Sequence, residues 1–394
     1  MSSSSSYYNN SLTAKVETEN GYVTNIYDNA NRFVSGICIA DDVEITTDYM
    51  LDYAGNVTNS VVFLNETNLV ETSAEFDEAE RISLLSSRST INDRRITNSF
   101  AFAYNEISGL TSQMTNQNSG IFVEYDFDIM NQLDSIVWKD DSGDVIKSFD
   151  YSYSISGMIT NIAREASSED VSYEYSDFFG TLWKSSSSYY TAQYVTDAVG
   201  NPFEYVINGS YFYNFGFEEG NRLASWTGGS YEHNLAGCVT NKMSSGNSAD
   251  INWNNRYQIT DVSQNGSLAK SYTYDSLGRR SSITDSLGSV TKIIYDGMHM
   301  VADVDEDNNL LRTYAAGPGI DNWLFPQGWT NKLADHQTDE TYYYITDHVG
   351  TVHAVTDASG VVVESYRYSP YGKVLAIFDE NGNNTMKIKL KRKE

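Results

Sequence analysis

The chain has 394 residues, with 53 acidic against 26 basic side chains and a formal net charge of −27 at pH 7. Such an acidic molecule repels phosphate backbones and anionic membranes, which excludes a nucleic-acid partner. Tyrosine occurs 30 times and proline only 4 times. Because tyrosine favours strands while asparagine, aspartate and glycine favour turns, the composition predicts an all-β protein.

The N-terminal stretch, residues 1–20, is rich in serine and asparagine and is predicted to be disordered. It contains neither the basic nor the apolar segment of an export signal. No run of 18 apolar residues occurs in the sequence, so no membrane span is predicted.

Residues 21–270 contain degenerate copies of a repeat in which Tyr-x-Tyr-Asp is followed by Gly-x-x-apolar. From the middle of the chain into the next segment, the residue at the Asp position recurs at steps of 17 to 22 residues. These positions are Ser154, Ser176, Asp197, Phe217, Asn234, Asn254, Asp275 and Asp296. A period of about 20 residues is typical of a repeat architecture, so we expect one array rather than two domains.

Each repeat predicts a β-hairpin. Alternating aromatic residues such as Tyr272 and Tyr274 lie on one face of a strand. The Asp that follows can bond to the backbone two residues later, and the Gly can adopt the positive φ of a tight turn. A single hairpin is marginally stable, so neighbouring hairpins must stack on one another.

Two features of this region leave alternatives open. Residues 71–85, ETSAEFDEAERISLL, fit either an amphipathic helix or a further copy of the repeat. Cys38 and Cys238 match no metal-binding spacing, so they are either free thiols or the two halves of one long-range disulfide.

The best-preserved repeats lie in residues 271–382. Residues 272–297 read YTYDSLGRRSSITDSLGSVTKIIYDG, and residues 342–374 read YYYITDHVGTVHAVTDASGVVVESYRYSPYGKV. Hairpin turns are predicted near Asp275, Gly288 and Asp296. The strand and turn positions of the motif are Tyr272, Tyr274, Asp275, Gly278, Gly288, Tyr295, Asp296, Asp347, His348, Gly350, Asp357, Gly360, Tyr366, Tyr368, Pro370 and Gly372.

These stretches resemble the YD-repeat, or Rhs (rearrangement hotspot), family. The second is similar to the family signature YYhxDhLGSxxxlTDxxGxvvxxYxYxPfGxv. The resemblance covers residues 271–382 well and residues 21–270 only as degenerate repeats. It implies an array of antiparallel β-hairpins that forms a curved or spiralling strip of an Rhs-type shell, as in bacterial polymorphic toxins, insecticidal toxin complexes and teneurins.

In that family the shell encloses a cargo or toxin domain that follows the repeats. Here the pattern ends after Gly382 and the sequence stops at Glu394, so we expect a C-terminally truncated member without a toxin domain, whose cargo is encoded elsewhere. The resemblance also implies a secreted or cell-surface location. Residues 383–394 form a basic tail, for which a solvated chain end is the favoured interpretation.

Asp303, Asp305 and Asp307 stand at positions 1, 3 and 5 of a calcium loop of the EF-hand type. However, Asn308 replaces the required Gly and Tyr314 replaces the required Glu. The pattern therefore favours an acidic hairpin tip, with a weak divalent-cation site as the alternative.

Asp347, His348, His353 and Asp357 are a candidate metal or acid–base cluster. The odd separation of the two histidines would place them on opposite faces of a regular strand, which favours a structural turn instead. Two tryptophans, Trp323 and Trp329, are candidates for stacking on sugars, although packing is favoured.

The sequence contains no HExxH, P-loop, GxSxG or CxxC pattern, so no enzyme activity and no cofactor are predicted. The predicted function is that of a structural, non-enzymatic shell fragment. The alternative is a module that presents aromatic strand faces to surface carbohydrate or to a protein.

Overall fold

The computed structural model describes residues 4–8, 10–18, 21–91, 94–164, 169–176, 180–188, 190–208, 211–315, 334–337 and 340–385. These residues form strands and turns, and none of them lies in an α-helix. Within three runs of consecutive strands, each strand pairs antiparallel with the next one along the chain, as in Val43–Leu51 with Val57–Leu64, Asn247–Trp253 with Ile259–Gln264 and Val362–Tyr368 with Val374–Asp379. The all-β prediction is confirmed.

The first twelve strands are β1 Ser4–Tyr7, β2 Thr13–Thr18, β3 Gly21–Tyr27, β4 Phe33–Ala40, β5 Val43–Leu51, β6 Val57–Leu64, β7 Thr67–Phe76, β8 Ile82–Ile91, β9 Arg94–Tyr104, β10 Thr111–Asn116, β11 Phe122–Phe127 and β12 Leu133–Lys139. The next thirteen are β13 Val145–Tyr153, β14 Ile159–Ala163, β15 Val171–Tyr175, β16 Leu182–Ser186, β17 Thr191–Thr196, β18 Pro202–Ile207, β19 Tyr211–Glu218, β20 Arg222–Trp226, β21 Gly229–His233, β22 Val239–Ser244, β23 Asn247–Trp253, β24 Ile259–Gln264 and β25 Ser267–Tyr274. The last nine are β26 Arg280–Asp285, β27 Val290–Asp296, β28 His299–Val304, β29 Leu310–Ala315, β30 Ala334–Gln337, β31 Glu340–Thr346, β32 Val352–Thr356, β33 Val362–Tyr368 and β34 Val374–Asp379.

The turns that join consecutive strands lie at the two ends of the strands, and each end forms a rim. We call the rim formed by the turns after odd-numbered strands the YD rim, because the Tyr-Asp dipeptides enter these turns. Its turns are built around a polar first residue, as in Asp52 to Asn56. At the opposite rim several turns are two residues long, such as Asn65-Glu66 and Asn265-Gly266. Both residues of each have positive φ, which gives the twist that joins hairpin strands.

Residues 71–85 are not helical. They form the end of β7 and the start of β8, joined by a turn in which Asp77 accepts the backbone N–H of Arg81 at 2.9 Å. The helical pattern arises because that turn places Glu and Arg between two apolar strand segments, and sheet pairing outweighs the local preference.

Two strands lie within the serine-rich N-terminal stretch for which composition predicts disorder. Strands β1 and β2 lie here and pair through Ser4↔Glu17, Ser5↔Val16 and Ser6↔Lys15. Serine contributes no apolar burial, but β2 also pairs with β3, so backbone hydrogen bonds of the sheet hold β1 and β2 in place.

The chain divides into two compact units. Unit 1 comprises Met1–Lys147, Thr273–Ile283 and Ser289–Glu394, and unit 2 comprises Ser148–Tyr272 and Thr284–Gly288. In unit 1, side chains from β3 to β7 and from β27 and β28 form one apolar core, in which Val62, Val70 and Val304 are almost inaccessible to solvent. Segments distant in sequence are therefore packed face to face in unit 1.

Unit 2 has a smaller core. Phe149, Tyr151, Ile162 and Tyr194 are buried. From Val195 to Tyr272, none of the side chains that the structure describes is buried. Cys238 of this unit and Cys38 of unit 1 are both free thiols.

Candidate functional site

The most frequent polar arrangement in the structure is the turn that follows the Tyr-Asp dipeptide. The turn of Asp275 is an example. One carboxylate oxygen, Oδ1, accepts the backbone N–H groups of Leu277 and Arg279 at 3.0 and 2.9 Å, and Oδ2 accepts Nε of Arg279 at 2.7 Å. Gly278 adopts a φ of +85°, which closes the turn. The aspartate thus replaces the backbone contacts that the turn itself cannot make.

The same turn recurs along both units. Asp28 and Asp77 each bind an Arg four residues later, whereas Asp52, Asp197 and Asp305 each bind an Asn there. Hydrogen bonds from that residue hold the pKa of each of these five carboxyl groups below its usual range. The first residue of the turn in β19–β20 is Glu218, one position after the predicted Phe217, because β19 extends through Glu218.

In six hairpins the aromatic residue before the turn ties the hairpin to the preceding one. Its side chain donates a hydrogen bond to the carbonyl oxygen of the residue that directly follows the previous turn of the YD rim. The six bonds are Tyr27 to Thr13 (3.2 Å), Tyr104 to Ile82 (2.6 Å), Tyr175 to Ile159 (2.7 Å), Trp253 to Val239 (2.7 Å), Tyr295 to Arg280 (3.0 Å) and Tyr368 to Val352 (2.8 Å). The Tyr-Asp dipeptide therefore combines a link to the previous repeat with a cap for the next turn.

Arg279 is a buried junction of unit 1. Its side chain is 10% exposed and that of Asp275 is 3% exposed. The guanidinium lies 4.7 Å from the ring centroid of Tyr295, donates to the carbonyl of Gly297, and approaches Cys38 Sγ at 4.0 Å. Burial of the Cys38 thiol, together with the Asp275 charge, raises its pKa to about 11, so it stays protonated and unreactive at neutral pH.

Asp296 has a different role from Asp275, although both follow a tyrosine. Strand β27 ends at Asp296 and β28 begins at His299, so the turn between them is too short for an Asp cap. The carboxylate instead accepts Tyr49 Oη at 2.6 Å and Ser60 Oγ at 2.7 Å. Burial and the nearby Asp296 charge raise the pKa of Tyr49, so this hydroxyl remains a donor.

Three further polar contacts join the same two sets of strands in unit 1. Ser89 Oγ lies 3.0 Å from Thr313 Oγ1, and Tyr343 Oη donates to Asn98 Oδ1 at 3.1 Å. Trp138 Nε1 donates to the carbonyl of Thr346 at 3.0 Å. We call these contacts, with those of Asp296, the polar seam. It fixes the register of the two facing sets of strands, because each buried polar group requires its own partner.

The histidine cluster is only partly assembled. Asp347 caps its turn through Val349 and Thr351, and its Oδ2 lies 3.0 Å from Nε2 of His353. Burial raises the pKa of Asp347, but the hydrogen bond and charge of His353 outweigh it, so the net shift is downward. His348 lies in the turn, which is why strand alternation is the wrong rule for its position.

The candidate calcium ligands do not converge. Asp305 is the first residue of a turn and accepts the N–H groups of Asp307 and Asn309, whereas Asp303 lies on β28 and accepts the hydroxyl of Tyr314. Within the part of the chain that the structure describes, no group of three or more His, Cys, Asp or Glu side chains could hold a metal ion.

The other motif residues lie where the repeat predicts strands and turns. Tyr272 and Tyr274 lie on β25 and Tyr366 and Tyr368 on β33. Gly288, Gly350, Asp357, Gly360, Pro370 and Gly372 lie in turns. The four glycines among them adopt positive φ. Trp323 and Trp329 lie outside the described residues.

Sequence reasoning missed the partners of these residues. Tyr49, Ser60 and Arg279 contribute as much to the polar junctions as the motif residues do. For Arg279 a signal was present, since Asp-x-x-x-Arg occurs also at Asp28 and Asp77. Tyr49 and Ser60 carried no such local signal.

Repeated hairpins with Tyr-Asp turns define a structural shell-type repeat, and the family comparison agrees. The sequence profile of the Teneurin YD-shell family matches residues 98–389, and the chain belongs to this family. No curated protein matches the sequence.

Two solved structures share the fold. One is the Tc holotoxin pore of Photorhabdus luminescens with a TccC3 mutation, at 12% identity and a TM-score of 0.56, covering 95% of this chain and 24% of that one. The other is a crystal structure of TcdB2-TccC3, at 12% identity and a TM-score of 0.54, covering 95% and 26% respectively. The chain spans about a quarter of the length of the chains it matches. In the described residues no helix has the length and apolar character needed to cross a membrane.

Proposed function

We propose that the chain is a structural, non-enzymatic segment of a YD-repeat shell that takes part in enclosing a polypeptide cargo of the toxin type. Membership of the Teneurin YD-shell family and the fold shared with the Tc structures support the structural scaffold. The cargo role, the relation to toxins and a secreted or cell-surface location are part of the proposal.

The proposal rests on one observation, that the acidic side chains suited to catalysis are engaged in structural contacts. Three acids that would be candidates for chemistry, the buried Asp275 and Asp347 and the partly buried Asp296, are already engaged in structural contacts: Asp275 with Arg279, Asp296 with Tyr49, and Asp347 with His353. A catalytic acid or base must be free to exchange protons with a substrate, whereas these groups hold turns and sheets together.

The test is a protease-protection experiment on the chain purified from the cells that make it. A shell segment should co-purify with a second polypeptide that resists trypsin. The variant Asp296→Ala should open the polar seam, because it leaves Tyr49 without its acceptor, and it should make that polypeptide sensitive. The exposed-tip variant Tyr53→Phe serves as the control and should preserve protection.

Two outcomes would contradict the proposal. One is a chain that purifies without a protected polypeptide. The other is turnover of an ester, glycoside or phosphate substrate that His353→Asn abolishes, because the Asp347–His353 pair would then act on a substrate rather than support a turn.

One observation favours the second candidate, a binding surface. In unit 2 the ring centroids of Trp226 and Tyr231 lie 4.6 Å apart, and Lys242 Nζ lies 5.7 Å from the Trp226 centroid, on strands whose side chains are not buried. Such a half-exposed platform suits stacking on carbohydrate or on a protein side chain. Binding in a glycan array that Trp226→Ala removes would support this function over the shell role.

A further inference from the structure

Large apolar side chains stand exposed in the turns of the YD rim of unit 2. They are Ile155, Val199, Leu235 and Tyr257, which are 110, 75, 106 and 65% exposed. We call these four residues the tip row. The turns do not require them, because the first residue of each turn makes the cap. Exposed apolar groups in a defined pattern mark an interaction surface.

The opposite rim of unit 2 lacks this pattern. Its described turns between β20 and β25 consist of Thr227-Gly228, Ser245-Gly246 and Asn265-Gly266. Leu287, 90% exposed in the turn of Asp285 after β26, is an apolar tip of unit 2 that lies at the opposite rim, outside the tip row. Within β20–β25, the exposed apolar tips thus lie at the YD rim, whereas the three described turns of the opposite rim are polar.

Unit 1 shows the same asymmetry. In β1–β12 the exposed tips Tyr53, Ile107 and Ile129 lie at the YD rim, in the turns after β5, β9 and β11. The turns at its opposite rim include the acidic pairs Asp41-Asp42 and Asp140-Asp141. In β1–β12, as in β20–β25, the exposed apolar tips therefore lie at the YD rim.

Tyr257 adds a second line of support. It adopts a φ of +61°, in the left-handed region where a bulky side chain is strained and glycine would fit without cost. Its side chain points into solvent and supports no core. A tyrosine retained at a cost to folding indicates a contribution from outside the fold.

Charge also distinguishes the two rims. At the YD rim, basic residues neutralise the acids of their own turns, as in Arg222 with Glu218 at 3.1 Å in unit 2 and Arg81 with Asp77 at 2.6 Å in unit 1. Among the described turns of the opposite rim, the only basic residue is Arg164, which follows β14. In a molecule of net charge −27, the basic residues in the turns of the YD rim reduce the repulsion of an equally acidic molecule there.

The spacing between the exposed side chains of the tip row indicates which partner would dock on it. Successive turns of one rim are two strands apart, so the tips lie at multiples of roughly 10 Å. A matching partner needs apolar groups at the same multiples, and a second copy of this chain has them. We propose that the tip row of unit 2 is a self-association surface on which a second copy docks rim to rim, the tips of one copy lying between those of the other about a two-fold axis.

The test compares sedimentation equilibrium of the full chain and two variants over a concentration series. The triple variant Ile155→Ser, Val199→Ser, Leu235→Ser removes three tips, and serine is well accommodated in turns. The matched control is Leu287→Ser, which changes the same position of a turn as Val199→Ser but outside the tip row. Circular dichroism and melting temperature should be unchanged in both, because all four side chains are exposed.

We expect the mass of the wild-type chain and of Leu287→Ser to rise with concentration from 44.1 kDa toward twice that value. The triple variant should remain at the monomer mass. A monomeric wild-type chain would overturn the proposal. So would a dimer that survives the triple substitution, because the contact would then use strand edges. Binding of a monomeric wild-type chain to phosphatidylcholine vesicles, lost in the triple variant, would assign the tip row to lipid and overturn it as well.

Discussion

At the scale of single residues, the tyrosine that precedes a turn has two separable functions. The hydroxyl of Tyr295 donates to the carbonyl of Arg280, while its ring lies under the guanidinium of Arg279. Burial raises the pKa of Tyr295, so the hydroxyl keeps its proton over the whole range in which proteins are usually studied. Removal of the oxygen alone therefore isolates the link between repeats from the stacking contact.

Tyr295→Phe should lower the free energy of unfolding by about 0.5–1.5 kcal/mol, the usual net contribution of one hydrogen bond. The ring remains and continues to contact Arg279. Urea unfolding followed by circular dichroism measures the change. Tyr53→Phe, whose side chain is fully exposed, should leave the unfolding midpoint unchanged. Equal losses in the two variants would show that the bond to Arg280 does not stabilise the array.

At the scale of the element, the same turn has different energetic importance at different depths. Asp28 with Arg32 and Asp275 with Arg279 have the same bonds, both with Nε to Oδ2 distances of 2.7 Å. The Arg32 side chain is 38% exposed, whereas that of Arg279 is 10% exposed. An arginine that loses its partner can be hydrated in the first case but not in the second.

Asp275→Ala should therefore cost about 3–5 kcal/mol, since it leaves a buried guanidinium without its carboxylate. Asp28→Ala removes the same turn bonds and should cost clearly less. Chemical denaturation of the two variants gives the comparison. If the two losses were equal, turn capping rather than burial would determine the cost.

Local rules predicted the turns but not their long-range partners. The Asp and Gly of the Asp275 turn follow from sequence, because the cap spans only four residues. The role of Asp296 does not, since its partner Tyr49 lies 247 residues away. Asp347 and His353 were grouped as candidates from the sequence, but their contact across a turn does not follow from strand alternation, because the period of two applies only within a strand.

At the scale of the whole molecule, two histidines of unit 1 make stability depend on pH. Burial lowers the pKa of His299 and of His348, although a neighbouring aspartate opposes the shift in each. In the unfolded chain both side chains take up protons near pH 6.5. Between about pH 7 and 5 the unfolded state thus binds more protons at these sites, and stability contributed by the neutral histidines is lost as the pH falls.

The double variant His299→Gln, His348→Gln should flatten this dependence. The difference in unfolding free energy between pH 7 and pH 5 should be smaller than in the wild-type chain, because glutamine does not titrate. The turn aspartates with lowered pKa values do not contribute to the difference, since their effect begins only below about pH 4. An unchanged difference would place the titrating groups elsewhere.

The bond from a pre-turn tyrosine or tryptophan to the carbonyl after the previous turn of the YD rim also constrains how such a chain can change in length during evolution. Insertion of a single strand would move the next tyrosine to the other rim and separate it from its acceptor. A strand inserted between Ile82 and Tyr104, for example, would break the bond between them. Insertion of two strands restores both the rim and the bond. Viable insertions and deletions should therefore come in whole hairpins, so that the gene grows and shrinks by complete repeats.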